Sequence, residues 1–94
     1  MINLRKFARN QSCTVRAPGI CNFDETTTVL AHIRRRCVGI GTKPCDLAGI
    51  HACSQCHDLI DGRIKHPEYP LERIDTLIVG ALCETLDRVS KELK

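Results

Sequence analysis

The stretch Cys53-Ser54-Gln55-Cys56-His57 decides the fold, because two cysteines separated by two residues can present both sulfurs to one tetrahedral Zn²⁺ from a tight turn. This pair supplies half of such a site. The other half is expected from Cys13 and Cys21, which flank the turn-forming segment 16–19 (Arg-Ala-Pro-Gly) and can therefore be brought side by side. We predict a structural zinc site of four cysteines that ties the front of the chain to its middle.

The length of 94 residues predicts one domain, 1–94, with a thin core. A chain of this size buries only roughly 60 to 65% of the surface that it exposes when unfolded. Large aromatic side chains are scarce, with two Phe, one Tyr and no Trp. A structural zinc site contributes on the order of 10 kcal/mol of apparent binding energy to folding, so a metal cross-link would compensate for the small core.

The cysteine count and the hydropathy pattern favour a cytoplasmic protein. Seven cysteines do not make an even disulfide framework, and no apolar run follows the first residues as a secretion signal would require. Metal-bound thiolates in a reducing compartment are the better interpretation. No segment approaches about 20 consecutive apolar residues, so a membrane span is not expected.

Charge is distributed unevenly along the chain. Residues 1–45 carry eight Lys and Arg against two Asp and Glu, or +6, whereas residues 46–94 carry six against nine, or −3. A basic front half suits a polyanion and an acidic second half suits cations, a combination expected of a metal-dependent protein that acts on phosphate. A solvated surface that is lopsided by chance would give the same pattern.

The predicted order of elements is a strand, a loop, a returning strand, the cysteine turn and a helix, followed by a longer helix. The segment 26–33 is rich in β-branched residues, and its period-2 alternation puts Val29, Ala31 and Ile33 on one face and Leu30 and His32 on the other. The chain should contain a short helix at 4–10, a small hairpin at 13–21, a strand at 26–33, a strand at 48–52, a helix at 57–64 and a long amphipathic helix at 71–93.

The ordered set of a strand with Ala31-His32-Ile33, a glycine loop, and Cys53-x-x-Cys56-His57 opening a helix resembles the HNH, or ββα-metal, endonuclease motif. Taken with Leu4-Arg5-Lys6, Gly41-Thr42-Lys43-Pro44 and Asp61, the chain resembles the small phage and prophage nucleases of the YbcO type. The resemblance implies a zinc-stabilised ββα-metal core at 13–61 in an α+β fold, with the C-terminal helix at 71–93 packed on it.

The resemblance also implies catalytic roles for two histidines. His32 would be the general base that polarises a water for attack on a phosphodiester, and His57 would hold one divalent cation, Mg²⁺ or Mn²⁺, at the scissile phosphate. Independent chemistry fits these residue types, because a neutral imidazole can take a proton near neutral pH and a hard cation offsets developing negative charge.

The chain departs from the family pattern immediately before the first histidine. The family often has a metal-binding Asp there, and this chain has Ala31. Because Mg²⁺ prefers oxygen ligands, we expect either Asp61, one helical turn after His57, or Asp46, after the loop, to supply one. Either carboxylate could instead be an ordinary helical or loop residue.

A cluster of cations follows His32 in the sequence. A guanidinium near a hydrolysing phosphate can position it and stabilise transition-state charge, so Arg34 is a further catalytic candidate. The expected nucleic-acid contacts are Arg34, Arg35, Arg36 and Lys43, with a solvated charge run as the alternative.

The remaining cysteines and histidines have less decisive positions. Cys83 is expected in the core beside the apolar stripe of the last helix. His51 is expected to be a strand residue, although it could replace a zinc ligand or approach the catalytic metal. Cys37 and Cys45 are expected to be free thiols, with a second metal pair as the alternative.

These observations predict a cytoplasmic, phage-type endonuclease of nucleic acid, most simply DNA, with weak sequence specificity because backbone contacts dominate. The alternative is a zinc module that binds nucleic acid or a partner protein without catalysis, which Ala31 favours. A third is an adaptor whose long C-terminal helix pairs with another subunit. The oligomeric state is left open.

Overall fold

The computed structural model describes residues 3–33 and 46–93. Within these ranges the chain forms a small α+β fold, as predicted, with a two-stranded sheet and a long C-terminal helix. The elements are α1 (Leu4–Ala8), β1 (Val29–His32), β2 (Gly49–Ala52), α2 (Ser54–Ile60) and α3 (Leu71–Glu92), with single 3₁₀ turns at Glu25–Thr27 and Asp46–Ala48.

Strands β1 and β2 pair antiparallel, with Val29 opposite Ala52 and His32 opposite Gly49. Ala31 and Ile50 face each other and are fully buried. Because side chains alternate along a strand, His32 lies on the other face, as the alternation predicted. Gly49 is required there, since a Cβ at this position would lie 2.7 Å from Cδ1 of Leu30.

The first strand is shorter than predicted, because residues 26–28 do not belong to it. The Asp24 carboxylate accepts hydrogen bonds from the backbone N–H of Thr26 at 3.0 Å and from its hydroxyl at 2.6 Å. The hydroxyl of Thr27 donates to the Asp24 carbonyl at 2.8 Å. These local bonds hold a 3₁₀ turn, so they override the strand propensity of the threonines.

The predicted hairpin at 13–21 is wrong, since no strand forms within this segment. Thr14 instead bonds to β2, with its backbone N–H and its hydroxyl both donating to the carbonyl of His51, at 2.8 Å and 2.7 Å. Arg16 then takes a left-handed conformation with φ of 48°, which turns the chain before the two strands of a hairpin could pair.

Helix α2 begins three residues earlier than predicted and ends before residue 64. Cys53 is its N-cap, and its Sγ accepts the backbone N–H of Cys56 at 3.4 Å. Gly62, with φ of 79°, follows the helix and provides the left-handed residue at which many helices end. His57 therefore lies inside the helix rather than at its start.

Helix α3 has nearly the predicted bounds, and one stripe of it packs on the core. Helical spacing places Leu71, Leu86 and Leu93 on the apolar side of this helix, but all three are exposed to solvent. Cys83 is also exposed, so its predicted core position is wrong: it lies outside the arc of α3 that the core covers. The buried positions of α3 are Ile74, Ile78, Ala81, Thr85 and Val89.

Among the described helices, none has both the length and the apolar character that a bilayer crossing demands.

Candidate functional site

The structure brings Cys13, Cys21, Cys53 and Cys56 together, with their four sulfur atoms all within 4.8 Å of one another. The Sγ atoms of Cys21 and Cys53 are 3.7 Å apart. Four thiolates at about 2.3 Å from one tetrahedral zinc would have sulfurs about 3.8 Å apart, whereas a disulfide holds them at about 2.05 Å. All four are free thiols, so the cluster could hold a metal ion such as zinc.

Two similar turns present three of the four sulfurs, those of Cys13, Cys53 and Cys56. The Sγ of Cys13 accepts the backbone N–H of Arg16 at 3.5 Å, three residues on, as the Sγ of Cys53 accepts that of Cys56. Such N–H donors favour the thiolate form, which is the form that binds a metal. The turn that follows Cys53 leads directly into α2, so the cluster fixes where that helix begins.

Thiol acidities within the cluster differ according to their contacts. The hydrogen bond with Cys56, with backbone N–H donors adding to it, lowers the pKa of Cys13 to about 4. The same bond, together with burial, raises the pKa of Cys56. Burial is the first cause that raises the pKa of Cys21 to about 11.

Arg16 connects the cysteine cluster to α3. Its guanidinium donates to the Cys13 carbonyl at 2.8 Å and forms two bonds to the Glu84 carboxylate, at 2.9 Å and 2.5 Å. Glu84 also accepts from Arg88 at 3.1 Å. The bond from Arg16 is the main cause that lowers the pKa of Glu84. This network holds the first cysteine turn against the long helix.

We predict that Glu84→Gln destabilises the protein on the order of 1 kcal/mol at neutral pH, a value discounted because the carboxylate is partly exposed. Glu84 has a lowered pKa in the folded state, so its stabilisation is present above the ordinary value of 4.5 and is lost as the pH falls through the folded pKa. Urea unfolding should show a gap between variant and native protein at pH 7 that narrows in acid. Glu92→Gln, an exposed change on the same helix, should show no such gap, and a gap for Glu84→Gln that does not change with pH would contradict the ion-pair explanation.

His32 forms a close pair with a carboxylate from across the sheet. Its Nε2 lies 2.8 Å from Oδ1 of Asp46, and the same oxygen accepts from Nε of Arg5 at 3.3 Å. The contact with His32 is the main cause that lowers the pKa of Asp46, and Arg5 adds to it. Strand β1 positions the imidazole, and the 3₁₀ turn that starts at Asp46 positions the carboxylate.

His57 forms a second pair one helical turn along α2. Its Nε2 lies 3.1 Å from Oδ2 of Asp61, and both side chains are largely buried. Arg63 approaches the same carboxylate oxygen at 3.7 Å and bonds to Oδ1 of Asp58 at 3.2 Å. The second pair therefore has an exposed guanidinium beside it.

The two carboxylates thus go to different histidines: Asp61 lies with His57 and Asp46 with His32. Over residues 3–33 and 46–93, the cysteine cluster is the only group of three or more His, Cys, Asp or Glu side chains close enough to share one metal ion. Six predicted positions lie outside the described residues: the phosphate contacts Arg34, Arg35, Arg36 and Lys43, and Cys37 and Cys45, which are predicted to be free thiols.

His51 is a strand residue, and it is buried between β2 and α3. Its Nδ1 lies 3.1 Å from Nη1 of Arg88, and its ring meets the edge of Phe7 at 5.7 Å. Burial lowers the pKa of His51 to about 4, with Arg88 as the second cause. Nδ1 of the neutral ring therefore accepts a hydrogen bond from Arg88, and His51 supports the fold rather than the cysteine cluster.

Sequence reasoning missed three residues that surround these groups: Arg5, Arg63 and Glu84. Arg5 and Asp46 are 41 positions apart, and Arg16 and Glu84 are 68 apart, so no local pattern links them. Arg63 follows Asp58 by five residues, just beyond the end of α2, where helical spacing no longer predicts contact. For Glu84, the one sequence signal was the apolar stripe of α3, which predicts that this helix packs on the core.

A profile of the family described as "Putative nuclease YbcO" matches residues 2–91. The chain belongs to the YbcO nuclease family. Proteins named "Putative nuclease YbcO" from Escherichia coli (strain K12) and "Putative nuclease ybcO" from Enterobacteria phage 82 are each 56% identical to this family member over 64 residues. Those matches cover 67% of this chain and 67% of each relative.

A solved structure supports the fold of this YbcO family member. The "Structure of a putative bacteriophage protein from Escherichia coli str. K-12 substr. MG1655" superposes with a TM-score of 0.76 and is 38% identical in sequence. The match covers 94% of this chain and 96% of that one. The names of the relatives support a nuclease function in general, and therefore a nucleic-acid substrate.

Proposed function

We propose that this chain is a metal-dependent endonuclease that hydrolyses phosphodiester bonds of DNA, with an HNH-like ββα-metal core at 13–61. Membership of the YbcO nuclease family and the order β1, β2, α2 support the proposal, with one histidine on the first strand and one on the helix. The single observation that carries it is the pair of His32 and Asp46, because a carboxylate bonded to one imidazole nitrogen prepares the other to act as a base.

His32 acts as the general base in this proposal. With Asp46 ionised, the proton of the neutral ring stays on Nε2, where it bonds to Oδ1, and the lone pair of Nδ1 is available for a water proton. The bond from His32 lowers the pKa of Asp46, and Arg5 on the same oxygen adds to this effect, so the carboxylate remains an acceptor for Nε2 in this tautomer. Asp46 is then a positioning residue for His32 rather than a metal ligand.

His57 and Asp61 hold the catalytic cation in this proposal. A divalent cation such as Mg²⁺ or Mn²⁺, when bound, supplies charge stabilisation to the phosphate oxygens. The pair offers one imidazole nitrogen and one carboxylate oxygen, which leaves the remaining positions to water and phosphate, as such ions tolerate. Arg63, close to the same carboxylate, can move to the phosphate once the carboxylate has a cation partner.

The cysteine cluster holds a structural zinc in this proposal and takes no part in bond breaking. Arg34, Arg35, Arg36 and Lys43 contact the phosphate backbone, with Arg34 near the scissile phosphate. Cleavage should then have weak sequence specificity, and the affinity for DNA should fall steeply as the salt concentration rises. The phage source of one relative suggests a role in phage or prophage DNA metabolism in the cytoplasm.

Plasmid cleavage with added Mg²⁺ or Mn²⁺ tests the proposal. We expect the native protein to nick or linearise a supercoiled plasmid only with the divalent cation. His57→Ala and Asp61→Asn should each lower the rate by at least roughly tenfold to hundredfold, the loss that changes to groups supporting a metal ligand already cause, and raise the cation concentration that gives half-maximal activity. Asp87→Asn, an exposed carboxylate on α3 paired with Lys91, is the matched control and should cleave normally. Unchanged rates in both site variants would overturn the cation assignment.

A second function, a zinc module that binds nucleic acid without cutting it, is favoured by the position of Ala31. Its side chain is fully buried opposite Ile50, where the family often places an acidic metal ligand. Under this alternative, the native protein would bind DNA in a salt-dependent way and show no divalent-dependent cleavage. Gel shift and plasmid cleavage on the same preparation separate the two functions.

A further inference from the structure

A cavity of about 380 Å³ lies between the end of α2, the loop 61–70 and the start of α3. Most of its wall is apolar, with Leu59, Ile60, Ile64 and Tyr69 contributing side chains. Asp61 also lines it, and this is the carboxylate that pairs with His57. Apolar cavities of this size with a few polar groups are typical of sites that enclose a small organic group.

Two cations lie beside this cavity, next to the carboxylate of Asp61. Lys65 lines the cavity and is exposed, and the exposed Arg63 lies 3.7 Å from Asp61. Tyr69 is fixed in the wall, because its hydroxyl donates to the carbonyl of Pro18 and the guanidinium of Arg73 lies 4.5 Å from its ring centroid. The wall is therefore held in place by contacts with Pro18 and Arg73.

We propose that this cavity takes the base of an unpaired nucleotide next to the scissile phosphate, so that the protein acts on single-stranded or locally opened nucleic acid. An apolar slot with Tyr69 in its wall suits the face of a base, and the exposed Lys65 and Arg63 beside it suit the phosphates on either side of that nucleotide. Asp61 connects the slot to the cation pair, which places the base beside the reacting phosphate. The inference rests on the proposed function, because it uses that pair to locate the phosphate.

A base that is still paired and stacked in a duplex cannot enter a slot of this kind. The nucleotide must first be unstacked, which costs a few kcal/mol in duplex DNA and least where the strands are already open. The proposal therefore predicts faster cleavage of single strands, mismatches and duplex ends than of continuous duplex. It also gives the loop 61–70 a role in substrate choice rather than in the chemical step.

The test measures binding without added Mg²⁺ or Mn²⁺ on the zinc-loaded full chain. Its probes are a short single-stranded DNA oligonucleotide and the same strand made of abasic residues, compared by fluorescence anisotropy. Native protein should bind the strand with bases roughly tenfold more tightly than the abasic strand. Equal affinities would overturn the proposal, and this comparison needs no variant, so a folding failure cannot obscure it.

A variant locates the effect in the cavity. Ile64→Trp fills the slot and should remove the preference for the strand with bases, whereas Val79→Trp adds the same indole at an exposed position of α3 outside the slot and should keep it. An Ile64→Trp protein that folds normally and keeps the preference would also overturn the proposal. If the native protein does not cleave DNA but keeps its preference for the strand with bases, the proposed nuclease function is wrong and the proposed binding slot is still supported.

Discussion

Replacement of Cys53 by serine is expected to leave the protein unfolded at room temperature. A zinc site contributes on the order of 10 kcal/mol of apparent binding energy, which is comparable to the whole stability of a typical domain. Cys53 has two roles here, because its sulfur is part of the four-cysteine cluster and also caps α2. Circular dichroism should show the loss of helix, and elemental analysis should find one zinc per native chain and none in the variant.

Cys83→Ser is the matched control for the loss of a thiol. Cys83 is exposed on α3 and lies outside the cluster, so its replacement should leave the zinc content and the melting temperature unchanged. A reducing agent should also leave the native protein folded, because the Cys21 and Cys53 sulfurs are too far apart for a disulfide. A native protein that keeps its melting temperature after a chelator removes all metal would contradict the structural role of the zinc.

The cysteine cluster could be predicted from sequence because its signal is local. The spacing of Cys53 and Cys56 fixes two sulfurs in one turn, and the segment between Cys13 and Cys21 must bend at Pro18-Gly19. The alternation in β1 was equally local, so the face of His32 followed from the period of a strand. The length of α3 followed from its helical periodicity.

The contacts between distant parts of the chain could not be predicted in this way. The hairpin prediction at 13–21 failed because Thr14 finds its partner in β2, and because Arg16 adopts a left-handed conformation that its residue type does not signal. The pairing of Asp46 with His32 was also not predictable, because it joins distant parts of the chain. The sequence contained two candidate carboxylates and gave no reason to assign either one to a particular histidine. Only the folded structure shows that Asp46 pairs with His32 and that Asp61 pairs with His57.

His32→Ala is expected to lower the rate of DNA cleavage roughly 10²- to 10⁴-fold, the range that a positioned general base contributes. The loss should lie in kcat, because the imidazole is proposed to act on a water and not to bind substrate. Asp46→Asn should have a smaller effect, roughly tenfold to hundredfold, because an amide can still bond to Nε2 but no longer selects the tautomer that leaves Nδ1 free. Initial rates at saturating Mg²⁺ and saturating plasmid measure both effects.

Added imidazole distinguishes a lost base from a damaged fold. The side chain of His32 bonds to Asp46 and lies on a strand whose backbone pairs with β2, so its removal should leave the sheet intact. Free imidazole should then restore part of the activity of His32→Ala and none of that of His57→Ala, because the latter would lack a cation ligand instead of a proton acceptor. Full activity in folded His32→Ala would exclude it as the base, and equal rescue of both variants would contradict the division of roles between the two histidines.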